Sequence, residues 1–344
     1  TPGSLVGVCF GPTEGPRGPR ATRRTTRLVA AAGSVLAGAL ALTACGPVHA
    51  GAAATIGNIR ISDAALKAAV NRALDDPTFA ASQSDVGTWQ RTELSTLISD
   101  QLLVIAAKQE GVSVSEGEVG TELASVQAQE GSKDALDKDA AQNGIPPEDI
   151  HDYFYYVLLE QKLAPKITTP MVHAAHILVK DQATAQKILA EVEADPSQFA
   201  ALAKSQSIDT TTGPNGGDLG TEPSAEFVTP FADAVDSAPV GGYFVVHSQF
   251  GWHVVHLISR TTATLDQIDE QGSQATTSAE QSQAQQVHAA VFSRYLSQVA
   301  KKAGGVSVNP RYGAWSDDQA AVVASTGSLV SPAPSKPAAA DSAG

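Results

Sequence analysis

The chain of 344 residues is short of cysteine, of aromatic residues and of positive charge. Its two cysteines, Cys9 and Cys45, both precede the main body of the sequence. If the leader ahead of Cys45 is removed, one thiol remains, which excludes an internal disulfide and any metal site built on a cysteine pair. Aromatic residues are 5% of the chain against 42% hydrophobic residues, the balance of an Ala-rich, helix-leaning soluble protein. Lys and Arg number 23 against 36 Asp and Glu, for a net charge of −13. Residues 1–44 hold five Arg and one Glu, a charge of +4, so the remainder carries −17. So acidic a body argues against a nucleic-acid partner, which needs clustered Lys and Arg to neutralise phosphates. It favours solubility and non-electrostatic engagement of partners. The one long apolar run, Leu28 to Leu42, is too short to anchor stably across a bilayer.

What is present begins with that run. Arg17 to Arg27 is basic, the apolar stretch follows, and Leu42-Thr43-Ala44-Cys45-Gly46 closes it. This order is that of an export signal. Its end resembles the lipobox of bacterial lipoproteins, which implies cleavage before Cys45, lipidation of its thiol and an extracytoplasmic, membrane-anchored product. The alternative is a plain secretory signal with a chance cysteine.

Past Cys45, Thr55 to Ile61 reads as a strand and Ser62 opens a helix with Leu66, Val70 and Leu74 on one face. Thr88 is the expected cap of a longer helix with Leu94, Leu97, Ile98, Leu102 and Ile105, ending at Gly111. Ser115 to Glu118 is a capping-box pattern, Ser132 opens a polar helix, and Pro146-Pro147 leads into another with Ile150, Phe154, Val157 and Leu158. Pro165 and Pro170 bracket an expected linker. From Met171 the period changes: a strand over Val172 to Val179, two helices, a Gly-rich loop from Asp209 to Gly220, a short helix, then strands at Phe244 to Val246 and Trp252 to Ile258. That order is of the α+β class. Ser259 to Ala279 reads as a connector, and a strong helix follows with Val291, Phe292, Leu296 and Val299. That helix is too apolar to stand alone, which favours an outer domain split around an insert over two independent domains.

Four segments within Met171–Arg260 resemble the parvulin family of peptidyl-prolyl isomerases. They are His173-Ala174-Ala175-His176-Ile177-Leu178-Val179; Ser207-Ile208-Asp209 with Gly216-Gly217-Asp218-Leu219-Gly220; Phe227-x-x-Pro230-Phe231; and Ser248-Gln249-Phe250-Gly251-Trp252-His253-Val254-Val255. The flanks resemble the chaperone portion of SurA- and PrsA-type foldases through Ile56-Gly57-Asn58, the Leu94 to Leu103 helix, Gly111 to Val119, and Val306 to Gly313. The resemblances imply a mainly helical SurA-N-like domain over 45–170 and an inserted parvulin-like α+β domain over 171–260. A connector, helix and strand over 261–315 would return to the first domain. Residues 1–44 would be the leader and signal, and 316–344 a disordered tail.

The parvulin resemblance assigns His176, Asp209, His253 and Ser248 to a catalytic set and Leu219, Phe227 and Phe231 to a proline pocket, with no cofactor. Two His-x-x-His pairs, His173/His176 and His253/His256, raise the question of a metal. Both lie in strand-like sequence, where side chains alternate between faces, so each pair is expected to be split across the sheet. The loop Gly213 to Gly220 lacks the Lys and the following helix of a phosphate cradle, which argues against nucleotide. Several residues depart from the family pattern: the segment between Gly242 and Gly251 is shorter, Ser248 replaces Thr, Trp252 replaces Tyr, and only Lys180 stands where phosphate-directed parvulins carry a basic cluster. The expected function is isomerisation and chaperoning of exported, partly unfolded polypeptides with X-Pro bonds. The alternative is an ATP-independent holdase whose parvulin module is idle.

Overall fold

A computed structural model describes residues 51–83 and 85–325. The leader, Cys9, Cys45 and residues 326–344 lie outside the described residues, and so do the expectations that fall on them.

The outer domain opens with strands β1 (Ala52–Ile56) and β2 (Ile59–Ser62). The expected single strand is thus a hairpin, because Gly57 turns the chain at φ +55°. Helices α1 (Asp63–Leu74), α2 (Pro77–Ser82), α3 (Val86–Glu110), α4 (Glu116–Glu130), α5 (Lys133–Gln142) and α6 (Ile150–Leu163) follow. Ser62, Ser115 and Ser132 cap their helices as expected, and Gly111 ends α3 in the left-handed region. Asp85 caps α3 in place of Thr88. Its carboxylate accepts from the Gly87 and Thr88 amides and the Thr88 hydroxyl, meeting the helix dipole with a full charge.

The inserted domain is built on β3 (Thr168–Val179), α7 (Gln182–Ala194), α8 (Phe199–Gln206), β4 (Asp218–Pro223), α9 (Thr229–Ser237), β5 (Tyr243–Ser248) and β6 (Gly251–Thr264). Its antiparallel sheet runs β4-β3-β6-β5. Ala175, Ile177, Val179 and Val254 pack under α7 and α8, while Val172, Ala174, Val255 and Leu257 pack under α9. β4 was hidden in the sequence, since Asp-Leu-Gly-Thr-Glu-Pro offers one large apolar residue and two turn formers. Pairing to β3 supplies its order.

The expected linker and connector are both ordered structure. β3 starts at Thr168 and pairs with β6 from Thr168↔Thr264 to Val179↔Trp252; before β4 joins at Met171, this pairing is a two-stranded stalk between the domains. Pro170 lies where β3 has only β6 beside it, an edge that tolerates its missing N–H. The stalk's polar residues on β6, Ser259 to Thr264, gave no alternation to read. Ile167 and Leu265 at its foot are fully buried in the outer core, joined by the Leu265 amide donating to the Ile167 carbonyl at 2.9 Å. Helix α10 (Leu265–Gly272) then buries only Leu265 and Ile268, too weak a pattern to stand out.

Helix α11 (Ser278–Lys302) returns to the outer domain, where Val291, Phe292, Leu296 and Val299 meet Leu94, Ile98, Leu102 and Leu103 of α3 in one core. Each such side chain fully buried is worth about 1.5–3 kcal/mol. Strand β7 (Val306–Val308) pairs with β1, closing the sheet β2-β1-β7. A further hairpin, β8 (Ala314–Ser316) and β9 (Ala321–Val323), corrects the tail boundary: order runs through Ser325 because Val322 is buried and its amide donates to Ser95 on α3 at 2.8 Å.

Candidate active site

Alternation along β3 and β6 decides which histidines can meet. His176 shares the α9 face with Ala174, and His253 shares it with Val255. His173 turns to the other face and meets Asp218 at 2.9 Å, while His256 stacks on Tyr243 with ring centroids 4.3 Å apart. Each His-x-x-His pair is therefore divided by the sheet.

His176 and His253 meet through their Nδ1 atoms at 2.9 Å, both nearly fully buried. His176 Nε2 lies 2.8 Å from Asp209 Oδ2, and His253 Nε2 lies 2.7 Å from Ser248 Oγ. The four residues form one hydrogen-bonded chain. Its proton order follows from the ends when both rings are neutral. A carboxylate only accepts, so His176 Nε2–H donates to Asp209, and His176 Nδ1 must accept from His253 Nδ1–H. That leaves His253 Nε2 to accept from the Ser248 hydroxyl, whose oxygen is free to take the Phe250 amide at 3.1 Å. Burial, reinforced by neighbouring His176, pushes the His253 pKa down to about 4, which keeps that ring neutral at physiological pH. At Asp209, burial alone would raise the pKa. Hydrogen bonds from Thr212, His176 and the Thr211 amide outweigh it and hold the carboxyl well below its usual range.

Over the histidines sits an apolar wall. Phe231 is buried edge-on to both rings, its centroid 5.4 Å from His253 and 6.1 Å from His176. Phe227 lies 4.9 Å from Phe231, and Leu219 packs into the same cluster. The seven residues assigned to the catalytic set and the proline pocket thus fall in one region of the inserted domain.

Two supports escaped the sequence. Thr212 donates to Asp209 at 2.5 Å and lies 3.2 Å from His176 Nε2; its place three residues after Asp209 in a turn was the available signal. Gly217, read as a turn glycine, also has φ +80°, and a Cβ there would come within 2.1 Å of the His176 carbonyl. Its own carbonyl accepts from the His176 amide at 2.8 Å, which fixes the strand beneath the histidine.

The outer domain carries a groove of about 620 Å³ lined by Val157, Ala164, Phe292 and Leu296 with polar groups at Glu160, Asp269 and His288. His288 bridges Glu160 at 2.9 Å and Asp269 at 2.8 Å. Burial works against its charge, but the two carboxylates prevail and lift its pKa to about 9.

A histidine-bearing antiparallel sheet set on a stalk within a helical domain defines a two-part architecture, a site-bearing insert and a surrounding helical body. Family models match the two parts in turn, a SurA-like N-terminal domain over residues 22–164 and a PPIC-type PPIase domain over residues 158–261. The chain thus pairs a SurA-like N-terminal match with a PPIC-type PPIase match, and it is similar to proteins named as parvulin-type isomerases and PrsA foldases. A probable parvulin-type peptidyl-prolyl cis-trans isomerase of Bordetella bronchiseptica is 35% identical over 163 residues, covering 47% of this chain and 61% of the relative. The foldase protein PrsA of Caldanaerobacter subterraneus is 31% identical over 192 residues, covering 51% and 58%. PrsA of Clostridium tetani is 38% identical over 106 residues, covering 30% of this chain and 31% of its own. The matches to these curated relatives thus span about three fifths of their length or less.

Proposed function

We propose that the protein is a parvulin-type peptidyl-prolyl cis-trans isomerase and a foldase for exported polypeptides. The observation that carries this is the chain Asp209–His176–His253–Ser248 lying under the Phe227, Phe231 and Leu219 wall. Rotation about an X-Pro bond faces a barrier of about 18–20 kcal/mol and takes tens to hundreds of seconds unaided. No bond is made or broken, so the site has only to favour the twisted amide over either planar form. The apolar wall would hold the proline ring while the carbonyl swings. The histidines, locked in one tautomer each, would hold a fixed polar floor, and the Asp209 charge would set its field without taking a proton.

The foldase part is supported by the groove between α6, α10 and α11, whose apolar lining and few polar groups suit an extended chain. Anchoring through a lipid on Cys45, and so a place outside the cell membrane, rests on the apolar run and Leu42-Thr43-Ala44-Cys45. Among the described residues no helix is long and apolar enough to cross a membrane.

The test is X-Pro isomerisation on a short peptide, comparing the protein with His176→Ala and His253→Ala and following aggregation of an unfolded client beside it. Acceleration lost in both variants, with their circular dichroism unchanged, supports the isomerase. Suppressed aggregation without acceleration would leave a holdase with an idle insert. Fractionation of a Cys45→Ala variant tests the anchor, which predicts release from the membrane.

A further inference from the structure

The wall of the site is carried by one short stretch, the turn Ser224–Glu226, Phe227 and helix α9. Inside its own domain this stretch is held by its apolar face and by Arg260 of β6, whose Nη1 donates to the Val235 and Ala238 carbonyls at 2.7 and 2.9 Å. Its outer face is held from elsewhere. Arg294 of α11 donates through Nη2 to Asp233 at 2.9 Å and to Asp236 at 2.8 Å. Gln283 of α11 donates to Glu226 at 3.1 Å, and the Thr229 hydroxyl donates to Asp318, between β8 and β9, at 2.7 Å. Gln283 and Arg294 lie about three helical turns apart on one stripe of α11. Every one of these partners lies in the returning segment, downstream of residue 261 where the isomerase match ends.

We propose that Arg294 is a positioning residue for the proline wall, through which the outer domain sets the place of Phe227 and Phe231 over the histidines. Asp233 and Asp236 stand three apart on α9, so two like charges share one face and repel unless a cation lies between them. A guanidinium answers both at once, with donors a lysine ammonium cannot reproduce in the same plane. Asp236 Oδ1 is buried with no partner, so loss of Arg294 leaves that carboxylate uncompensated and drives α9 outward. Displacement of the wall by even an ångström weakens a site that works by orientation. The proposal rests on the isomerase reading only for its activity arm.

The experiment uses the whole chain with Arg294→Ala, Arg294→Lys and the double variant Asp233→Asn/Asp236→Asn. It reads amide hydrogen exchange across 224–237 together with kcat and KM for peptide isomerisation. Arg294→Ala is expected to speed exchange in 224–237 while leaving α3 and β6 unchanged, and to lower kcat/KM on the order of tenfold, mostly through KM. Arg294→Lys should recover part of both. The double variant removes the like charges that Arg294 answers, so combined with Arg294→Ala it should restore slow exchange in 224–237 and most of kcat/KM, and a combined variant as perturbed as Arg294→Ala alone overturns the proposal. Unchanged exchange in 224–237 overturns the proposal, and so does faster exchange with kcat/KM intact. If the unaltered protein shows no isomerisation, the isomerase reading fails while the exchange data still decide the clamp.

Discussion

At the scale of single residues, the site depends on proton placement more than on nucleophiles. His253 has its pKa lowered to about 4, against an ordinary value of 6.5. The unfolded chain therefore takes up a proton below about pH 6.5 that the folded chain refuses until about pH 4, so its contribution to stability is full above 6.5 and is lost as pH falls through that window. Peptide isomerisation should accordingly hold level from about pH 5.5 to 8 and collapse toward pH 4; a stopped-flow pH profile would show it. Asp209→Ala removes the acceptor that fixes His176 Nε2–H and should lower kcat/KM about tenfold with the fold retained. The central residues could be read from the sequence because they sit in short motifs with fixed spacing. Thr212 could not, since a threonine in a turn has no pattern of its own and gains its place only when Asp209 folds back over the strand.

At the scale of elements, α3 carries a cost within its own core. Glu93 and Asp100, two turns apart, are almost wholly buried, and Glu93 Oε1 and both Asp100 oxygens lack partners. Burial lifts Glu93 to about 7 despite the pull of Arg72, and lifts Asp100 well above the carboxylate range. The folded state thus keeps a proton on Glu93 that the unfolded chain releases near 4.5, so stability falls as pH rises from about 4.5 to 7. Glu93→Gln should remove that limb and raise stability at pH 8 by up to about 3 kcal/mol, measured by urea unfolding at pH 5 and pH 8. A helix such as α1, capped by Ser62 and burying Leu66 and Val70 on one face, was legible because local chemistry agrees with its packing. Among the elements missed are β4, the polar half of β6, α10 and the β8–β9 hairpin, each ordered chiefly by what it pairs with or docks on.

At the scale of the whole molecule, the two ends of the outer domain are stitched together. Gly57 turns β1 into β2 directly against the end of α11; a Cβ would lie 2.2 Å from the Ala303 carbonyl, and its amide donates to Gly305 at 3.0 Å. Gly57→Ala should destabilise the outer domain by about 2–3 kcal/mol, seen as a lowered Tm by calorimetry, with histidine resonances of the insert unchanged. Because the insert hangs on the β3–β6 stalk, whose foot is buried in the outer core, its position is set by two strands and by the contacts of α9 with α11.

The sequence by itself determined the helical nature of the body through its periodicity, while four motifs, by their resemblance to the parvulin family, pointed to the class of the insert, the histidine dyad with its acid and the apolar wall. Tertiary structure alone decided that an apparent linker and connector are one paired stalk, that β4 exists, and that residues 316–325 are ordered. It also decided that α11 reaches across to hold the wall. Those features are made by pairing and packing between segments distant in the chain, and polar stretches of that kind leave no periodic trace until their partners are in place.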